Sequence, residues 1–466
     1  MANNDFIIIS LNLVPNQIHQ LSTVMINGIM HIRITLTSTV VCCPYCGGKA
    51  NIHGYSARTY NHLPIFGHPS VIEWKRRRYR CKDCRMTFME DNPFGPENYH
   101  QSYAVLDSIA KDLRNIHFSF KDIAHKHHVS EGAVQLYADS FLQVPRMTLP
   151  VNLGIDEIHS KMAKYGGSYL AVLVDNDRRA LCDILPDRSK RTLSRYFESI
   201  PKEERSRVKY VTIDLWAPYR DVAMKYFKGC HVAADPFHVV EHLSMGFTRI
   251  RVDIMNQCVH NSPEYYLLKK WHKLLETDYY LDNTPKYNSF FRQKLNYRNL
   301  YDMLLALNPE LTLAYKLKEM YRDFNKKCSY EEAPAQLTMI IEVFEEADLY
   351  CYRNFVELLH NWRQEIIYSF ERPMDSRKQS NALTENVNSR LRELLDISNG
   401  YANFERFRAR GVYCLNDTAF YSLTQKLTSN KRQGKPRGKY NKEKPTIKDH
   451  PGNDVDTMDD DFDEEE

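Results

Sequence analysis

The sequence lacks any apolar run close to the roughly 18 residues that a membrane-spanning helix needs. It begins MANNDFIIIS, without the basic segment and the small-residue cleavage pattern of a secretory signal. It also lacks a disulfide framework, because only four of its 11 cysteines are regularly spaced. These absences disfavour membrane-embedded and secreted proteins, and they lead us to expect a cytoplasmic protein whose thiols stay reduced.

What the chain does contain is apolar material for several globular domains. Hydrophobic residues make up 43% of its 466 residues, and a chain of this length exceeds a single core. The last 14 residues carry nine acidic side chains and no basic one, so the formal charge of +4 for the whole chain is +13 for the remainder. A basic body favours a polyanionic partner such as nucleic acid. The alternative is a soluble protein with a solvating tail.

Two C-x2-C pairs, in CPYCGG and CKDC, are separated by 34 residues. Each pair presents two thiolates on a tight turn, and four thiolates suit a tetrahedral zinc ion. The long gap indicates a hairpin inserted between the pairs. We therefore predict a structural Zn²⁺ site, with four free cysteines as the alternative; its ligands are Cys43, Cys46, Cys81 and Cys84.

The stretch WKRRRYRC, directly before the second pair, interleaves basic and aromatic side chains. This pattern suits phosphate contact combined with stacking. In a strand, alternate side chains point to opposite faces, so about half of them would reach one duplex. A solvated strand is the alternative. The predicted DNA contacts here are Arg76, Arg77, Arg78 and Arg80.

Residues 103–142 are predicted to be helical, and SFKDIAHKHHVSEGAVQLYADSF has the pattern of a helix-turn-helix. Ser130 is the expected N-cap of the second helix. In such a unit the second helix enters the major groove, which would place Ser130, Glu131 and Gln135 near base edges, and we add Lys121 as a further DNA contact. Any helical hairpin can imitate this pattern.

The second half of the chain predicts short buried strands that alternate with helices, in the order β-β-β-α-β-α-β. That order is the ribonuclease H-like arrangement. Asp156, in LGIDEIH, and Asp214, at the end of VKYVTIDL, would lie on neighbouring strands near one edge of the sheet. Such a pair favours a metal site, whereas either aspartate alone is more often a cap, a turn residue or an ion-pair partner.

Strand signals end near residue 240, and helical spacing of leucines and aromatics predicts an all-α insertion. A further helix follows in SNALTENVNSRLRELLD. Glu385 lies on its polar face with Asn381, Asn388 and Arg392, opposite a leucine-rich stripe. Considered alone, Glu385 is a solvated side chain.

At the other end of the chain, FIIISLNL and HIRITLT predict strands.

Several motifs together resemble the ISL3 family of insertion-sequence transposases, in the DD-E superfamily. They are, in order, CPYCGG with CKDC, the helix-turn-helix, GIDEIH, ILPDRS, TIDLWAPY, AADPFH, SNALTENVNSR and GYANFERFR, and they cover roughly residues 5–420. The chain departs from the family after the Glu, where LRELLDISNGY replaces a strongly basic run, so we expect different DNA contacts there.

This resemblance implies that Asp156, Asp214 and Glu385 form a catalytic triad, with Asp235 and His238 in an accessory role. Three carboxylates suit Mg²⁺ or Mn²⁺ far better than zinc. The implied activity is cleavage and joining of double-stranded DNA at the ends of an insertion sequence and at its target. Because both ends must be held together, we expect a homodimer or a larger assembly. The alternatives are a non-catalytic DNA-binding regulator and a zinc-ribbon nuclease that processes RNA.

The predicted fold is therefore multidomain α/β, with a β-rich zinc-binding module, a helix-turn-helix and a ribonuclease H-like domain interrupted by an all-α insertion. The corresponding ranges are 1–95 for the zinc-binding module, 96–145 for the helix-turn-helix, 150–240 for the first part of the catalytic core, 241–370 for the insertion, 371–425 for the C-terminal helices of the core and 426–466 for a disordered tail, basic and then acidic.

Overall fold

The computed structural model of the chain describes residues 2–38, 41–162, 168–277, 280–373, 378–398 and 401–423. The predicted basic and acidic tail lies outside the described residues. Among the described helices, none combines the length and the apolar character that crossing a membrane requires.

Strands dominate the start of the chain, and helices dominate from residue 236 onward. The described strands are β1 (Ile18–Ile26), β2 (Ile29–Leu36), β3 (Ala50–Ile65), β4 (His68–Cys81), β5 (Thr87–Met89), β6 (Leu142–Gln143), β7 (Asn152–His159), β8 (Tyr169–Asp175), β9 (Ala180–Leu185), β10 (Tyr210–Ile213), β11 (His231–Ala234), β12 (Lys286–Asn288), β13 (Gln293–Leu295) and β14 (Phe420–Tyr421). The described helices are α1 (Ala2–Ser10), α2 (Tyr103–Arg114), α3 (Phe120–Lys126), α4 (Glu131–Phe141), α5 (Lys190–Glu198), α6 (Lys202–Arg205), α7 (Ala217–Tyr226), α8 (Pro236–Gln257), α9 (Pro263–Lys270), α10 (Lys273–Glu276), α11 (Tyr297–Ala306), α12 (Pro309–Lys327), α13 (Ala333–Ala347), α14 (Arg353–Asn361), α15 (Arg363–Tyr368), α16 (Ala382–Ile397) and α17 (Phe404–Leu415).

The N-terminal part is a sheet in which β1, β2, β4 and β3 are neighbours in that order, and β5 pairs with β4. Strands β3 and β4 form a long antiparallel hairpin. Its turn has positive φ at both Phe66 and Gly67, which matches the twist of the two strands. Tyr60, Ile72 and Trp74 are buried within this sheet's own apolar core. The predicted β-rich N-terminal module is confirmed.

The first residues contradict the predicted strand in FIIISLNL, because they form α1. Ile7, Ile8 and Leu11 are buried in the core of the N-terminal sheet. Their spacing is that of one helix face, whereas a strand would bury alternate residues. The prediction was wrong because three consecutive isoleucines have a high strand propensity, and that propensity yields to tertiary burial.

Helices α2, α3 and α4 share an apolar core with one face of a second sheet. Buried side chains of this core include Leu106 of α2, Ile123 of α3 and Val134 of α4, together with Val172 and Ile184 from the sheet. Helices α16 and α17 contribute to the same core, and β6, directly after α4, pairs with β14, beyond α17. The helices at residues 103–141 are therefore packed on the body of the chain.

The second sheet has the strand order β11-β10-β7-β8-β9. Strands β7, β8 and β9 are joined as an antiparallel meander, whereas β10 lies parallel to β7 and β11 lies parallel to β10. The elements appear along the chain in the predicted order, β-β-β-α-β-α-β, with the short α6 as an addition before β10.

The two faces of this sheet bury different partners. Leu153 and Ile155 of β7 join the core that includes the long helices after residue 236. Ile158 faces the other core, with α16 and α17. Helix α16 contacts β7 and β8, while α17 contacts β9. The insertion itself is helical as predicted, apart from the small β12–β13 hairpin.

Glycine at position 154 of β7 permits the close approach of α16. A Cβ at this position would lie 2.6 Å from the Thr384 hydroxyl oxygen and 3.0 Å from Asn176 Oδ1, both shorter than ordinary contacts. Thr384 is fully buried, so it has little room to move. A residue larger than glycine at this point of β7 would push α16 away from the sheet.

We predict that Gly154→Ala destabilises the protein by about 1–3 kcal/mol, the usual range for overpacking a tight site. A lower urea midpoint of unfolding would show this effect. Gly132→Ala is the matched control, because nothing lies within 4 Å of a Cβ at that helical position. Since alanine is the better helix former by about 1 kcal/mol, the control should keep or raise the midpoint. Equal midpoints for wild type and Gly154→Ala would contradict the close packing of α16.

Candidate functional site

Asp156 and Asp214 lie side by side in the second sheet. Parallel pairing sets Ile155 of β7 opposite Ile213 of β10, so the next residue of each strand is an aspartate. Both carboxylates and that of Glu157 offer oxygens that lie within 4.8 Å of one another. Asp156 is only 7% exposed. The structure thus brings two of the three predicted catalytic carboxylates together.

These two carboxylates differ in their ionisation. Burial, together with the neighbouring charge of Asp214, raises the pKa of Asp156 to about 8. Burial also acts to raise the pKa of Asp214, but hydrogen bonds with His238, Asp156 and Asn381 outweigh it and lower that pKa. Two carboxylates at this separation favour sharing one proton, and the raised pKa of Asp156 assigns that proton to it.

His238 and Asp235 extend the cluster on the other side of Asp214. Oxygen and nitrogen atoms of Asp214, Asp235 and His238 lie within 4.8 Å of one another, and His238 Nε2 is 3.1 Å from Asp214 Oδ1. The hydrogen bond to Asp214 raises the pKa of His238 to about 10. Asp235 is 1% exposed, and burial raises its pKa to about 6. Both predicted accessory residues therefore lie beside Asp214.

Two asparagines of the α16 region, to which we assigned no role from the sequence, donate hydrogen bonds to the aspartates. Asn388 Nδ2 donates to Asp156 Oδ2 at 2.7 Å, and Asn381 Nδ2 donates to Asp214 Oδ1 at 3.0 Å. The backbone N–H of Asn381 donates to Asp235. Their spacing of seven residues, two helical turns with Glu385 between them, is the signal in the sequence that points to one shared face.

Glu385 is exposed in the first turn of α16. Among the described residues it belongs to neither cluster of possible metal ligands. It does lie four residues after Asn381 and three before Asn388, so it occupies the helix face that bears these two asparagines. The third predicted carboxylate therefore lies on the helix that contacts the aspartates, but it is not part of either aspartate cluster.

Several buried oxygen atoms around the aspartates have no hydrogen-bond partner among the described residues. They are Asp235 Oδ2, Asn381 Oδ1, Thr384 Oγ1 and Asn388 Oδ1. Leaving a buried acceptor unpaired costs free energy, and such atoms in native proteins commonly have a functional partner. This donor set consists of oxygen ligands, which hard divalent cations prefer.

The four predicted zinc ligands converge at one end of the N-terminal sheet. The Sγ atoms of Cys43 and Cys84 are 3.5 Å apart, as are those of Cys46 and Cys81. All four lie within 4.8 Å of one another. The β3–β4 hairpin occupies the gap between the two C-x2-C pairs, as predicted from the long spacing. Four thiolates at these distances suit one tetrahedral Zn²⁺.

Two of the predicted DNA-contacting arginines are buried. Arg76 donates to both carboxylate oxygens of Glu97 at 2.7 and 2.8 Å, and Arg77 is paired with Glu90. Because their guanidinium groups are engaged with these carboxylates, both arginines face the interior of the module and not a duplex. Alternation predicted that about half of the basic side chains would reach a duplex, but it did not predict that two neighbouring arginines are both buried. Arg78 and Arg80 are exposed and keep the predicted orientation toward solvent.

Helices α3 and α4, with the turn at 127–130 between them, occupy the segment predicted as a helix-turn-helix. Ser130 is the N-cap of α4, and its hydroxyl accepts from Ala133 N at 3.2 Å. Lys121 is exposed. Gln135 is half-buried, because its Oε1 accepts from Arg406 of α17 at 2.9 Å. Ser130 and Lys121 are thus open to a ligand, whereas Gln135 is tethered.

We predict that Cys81→Ser unfolds the N-terminal module, because structural zinc couples metal binding to folding. Circular dichroism and limited proteolysis would show a loss of strand structure and new cleavage between residues 41 and 92. Elemental analysis of the wild type, purified without chelators, should give one zinc per chain. Cys42→Ser is the matched control, since Cys42 is exposed and lies outside the four-cysteine cluster. Wild-type protein free of zinc would contradict the assignment.

Comparison with known proteins agrees with these features. The family model for transposases of the ISL3 type matches residues 153–411, and a model described as the zinc-finger of transposase IS204/IS1001/IS1096/IS1165 matches residues 39–84. The first range spans the second sheet and helices α5 to α16, and the second contains all four clustered cysteines.

Individual relatives agree with the family models. The chain is 23% identical over 388 residues to the transposase for insertion sequence element IS1001 of Bordetella parapertussis, covering 81% of this chain and 89% of that one. It is also 32% identical over 111 residues to the transposase for insertion sequence element IS1557 of Mycobacterium tuberculosis, covering 23% and 24% of the two chains. The chain belongs to the ISL3 family of insertion-sequence transposases.

Proposed function

We propose that this chain cuts and joins DNA strands at the ends of its insertion sequence through the triad of Asp156, Asp214 and Glu385. The observation that carries the proposal is the juxtaposition of buried Asp156 on β7 with half-buried Asp214 at the end of the parallel strand β10. Two adjoining carboxylates that are largely removed from water are costly unless a cation or a proton compensates them. A structural role would be served at lower cost by apolar residues.

The topology of the sheet supports a ribonuclease H-like catalytic domain. An antiparallel meander, β7 to β9, is extended on the side of β7 by two parallel strands, β10 and β11. This is the arrangement that the resemblance to DD-E enzymes implies. It sets the first aspartate on the central strand and the second at the end of its parallel neighbour.

The donor set fits Mg²⁺ or Mn²⁺. Asp156 and Asp214 would hold the cations, with Glu385 completing the set, and the unpaired oxygens of Asp235 and Asn388 are suited to water ligands or to direct contact. When bound, such cations polarise the attacked phosphate and lower the pKa of the attacking water or hydroxyl. Zn²⁺ belongs instead to the four-cysteine cluster.

The chain's own residues prepare this site. Asp156 holds a proton in the absence of a cation, so cation binding must release it. His238, with its raised pKa, remains charged beside Asp214 and offsets part of the negative charge. Asn381 and Asn388 fix α16 to the aspartates. Glu385, on the same face of α16, then reaches the cations by a side-chain movement when DNA is bound.

Family membership implies DNA as the substrate. We propose that α3 and α4 act as a helix-turn-helix on the terminal repeats, with Ser130 and Gln135 toward the bases and Lys121 toward the backbone. Exposed Arg78 and Arg80 extend this surface along β4. Because two ends must be held together for joining, a homodimer or larger assembly on DNA follows from the proposed reaction.

A non-catalytic DNA-binding regulator is the second candidate. The observation that favours it is the exposed position of Glu385. Among the described residues it belongs to neither of the two clusters that contain Asp214. In such a protein the aspartates would be remnants of an inactive site. A cleavage assay separates the two functions.

We predict that Asp156→Asn abolishes Mg²⁺-dependent cleavage of DNA carrying the element's own ends, because the amide cannot replace a charged metal ligand. DNA binding in a gel-shift assay should be unchanged. Asp221→Asn is the matched control, since Asp221 lies on α7, half-exposed and paired only with Lys190 in the described structure. A control that cleaves beside an inactive Asp156→Asn supports the enzyme. Cleavage by Asp156→Asn would refute the triad, and a wild type that binds without cleaving would favour the regulator.

We predict that replacing Arg78 and Arg80 together with glutamine weakens DNA binding uniformly across sequences. Two lost phosphate contacts should reduce the slope of log affinity against log salt by about 2. The control is Arg353→Gln, an exposed arginine of α14 paired with Asp348. Salt-dependent titrations by fluorescence anisotropy measure the slope. A slope equal to that of the wild type would place the DNA on another surface.

A further inference from the structure

Trp216 is an exposed aromatic side chain at the edge of the aspartate cluster. It follows Asp214 by two residues and is the N-cap of α7. It is 41% exposed, whereas Trp74 and Trp362, two of the other three tryptophans, are 1% and 8% exposed. An exposed aromatic ring presents a face on which a ring of a ligand can stack.

Trp216 is the outer member of a stack that is anchored to the site. The Arg188 guanidinium lies over the Trp216 ring, 4.6 Å from its centroid, and also over the Tyr169 ring at 4.3 Å. Two such cation–π contacts fix the orientation of the rings. Arg188 belongs to ILPDRS and Trp216 to TIDLWAPY, two motifs to which the proposed triad gives no further role beyond Asp214.

The base of this stack is Glu157, a member of the aspartate cluster. Arg188 forms an ion pair with Glu157, and the Tyr219 hydroxyl donates to the other Glu157 oxygen at 2.7 Å. Glu157 therefore has both oxygens occupied and acts as a positioning residue between the cluster and the stack. Through Arg188 it holds an exposed ring beside Asp156 and Asp214.

A second exposed ring lies near the same edge of the sheet. Phe237 follows Asp235 by two residues, is 59% exposed, and contacts the His238 ring edge-on with centroids 5.5 Å apart. Asp214 and Asp235 directly follow the parallel strands β10 and β11. Each of these strands is therefore followed by an aspartate, half-buried Asp214 or buried Asp235, and two residues later by an exposed aromatic ring.

We propose that Trp216 is a stacking platform for an unpaired nucleobase of the DNA strand whose phosphate lies at the aspartate pair. The proposal rests on the proposed function, since it assigns the partner of the same site. Aromatic rings bind bases of single strands in a sequence-tolerant way, because every base has a π-face. Bases inside a duplex are already stacked, so the base on Trp216 must be displaced from its helix.

The test uses two fluorescently labelled single strands, one of ten thymidines and one of equal length with abasic sites. Each strand is titrated with the protein in Ca²⁺ buffer. Stacking depends on the base, so Trp216→Ala should bind the thymidine strand about tenfold more weakly, within the range for loss of one stacked base. Binding to the abasic strand should not change. Trp216→Phe, which keeps an aromatic ring, should retain most of the affinity and serves as the control for folding.

Intrinsic fluorescence gives an independent readout. Thymidine strands should quench tryptophan emission in the wild type and much less in Trp216→Phe, because Trp216 is the strongly exposed tryptophan of the four. Equal losses on both strands, no loss on either, or a wild type that binds neither strand would overturn the proposal. So would a variant whose only change is in sedimentation, which would assign the ring to a contact between copies of the chain.

Failure of the proposed function is distinguishable from failure of this inference. Cleavage by Asp156→Asn would refute the triad while leaving base-dependent binding to Trp216 intact. Conversely, base-independent binding by an enzyme that requires Asp156 would refute the platform and leave the triad standing.

Discussion

The structure of the second half depends on how the negative charge of two adjoining carboxylates is compensated. Parallel pairing of β7 with β10 brings these carboxylates together. Asp156 and Asp214 are held adjacent by the backbone register of the sheet, so their repulsion cannot be relieved by a small side-chain rotation. Isolated buried charges cost several kcal/mol each in real proteins. The structure offsets that cost with a retained proton on Asp156 and a charged His238 beside Asp214.

Helix α16 also helps to compensate the two carboxylates, by donating hydrogen bonds to them. Asn381 and Asn388 donate to one aspartate each, and this requires the helix to lie close to β7. Gly154 permits that approach, because a Cβ would collide with Thr384. The same contacts set the register of Glu385 relative to the aspartates. Gly154 thus influences the position of Glu385, the carboxylate that we propose as the third member of the site.

From the sequence we could predict which residues the backbone topology brings together. We predicted less accurately the residues whose position depends on side-chain packing. The order of strands places Asp156 beside Asp214, and the C-x2-C spacing predicts the cysteine cluster; both follow from chain connectivity. Burial of Arg76 and Arg77 did not follow, because it depends on Glu97 and Glu90, more than ten residues away along the chain.

Helix α1 and the two asparagines at α16 also show that side-chain packing was harder to predict than the order of the strands. Helix α1 was predicted as a strand because local propensity was read without its packing partner, the N-terminal sheet. Asn381 and Asn388 were recognised as polar-face residues of a helix, but a helix face has no assigned partner until the fold supplies one. The sheet gives these amides the aspartates as acceptors.

A shared apolar core joins the helices that we propose to read DNA to the sheet that bears the aspartates. Helices α2 to α4 pack in the same core as α16, α17 and one face of β8 and β9. Arg406 of α17 is bidentate to Asp139 and also donates to Gln135, so the surface of α4 is tied to α17. A duplex that engages Gln135 must compete with Arg406 for its amide oxygen. The pair between Arg406 and Asp139 does not depend on Gln135, so α17 would stay anchored to α4. Under the proposed function, the DNA-reading surface of α4 and Glu385 of α16 are therefore connected through helices that share one apolar core.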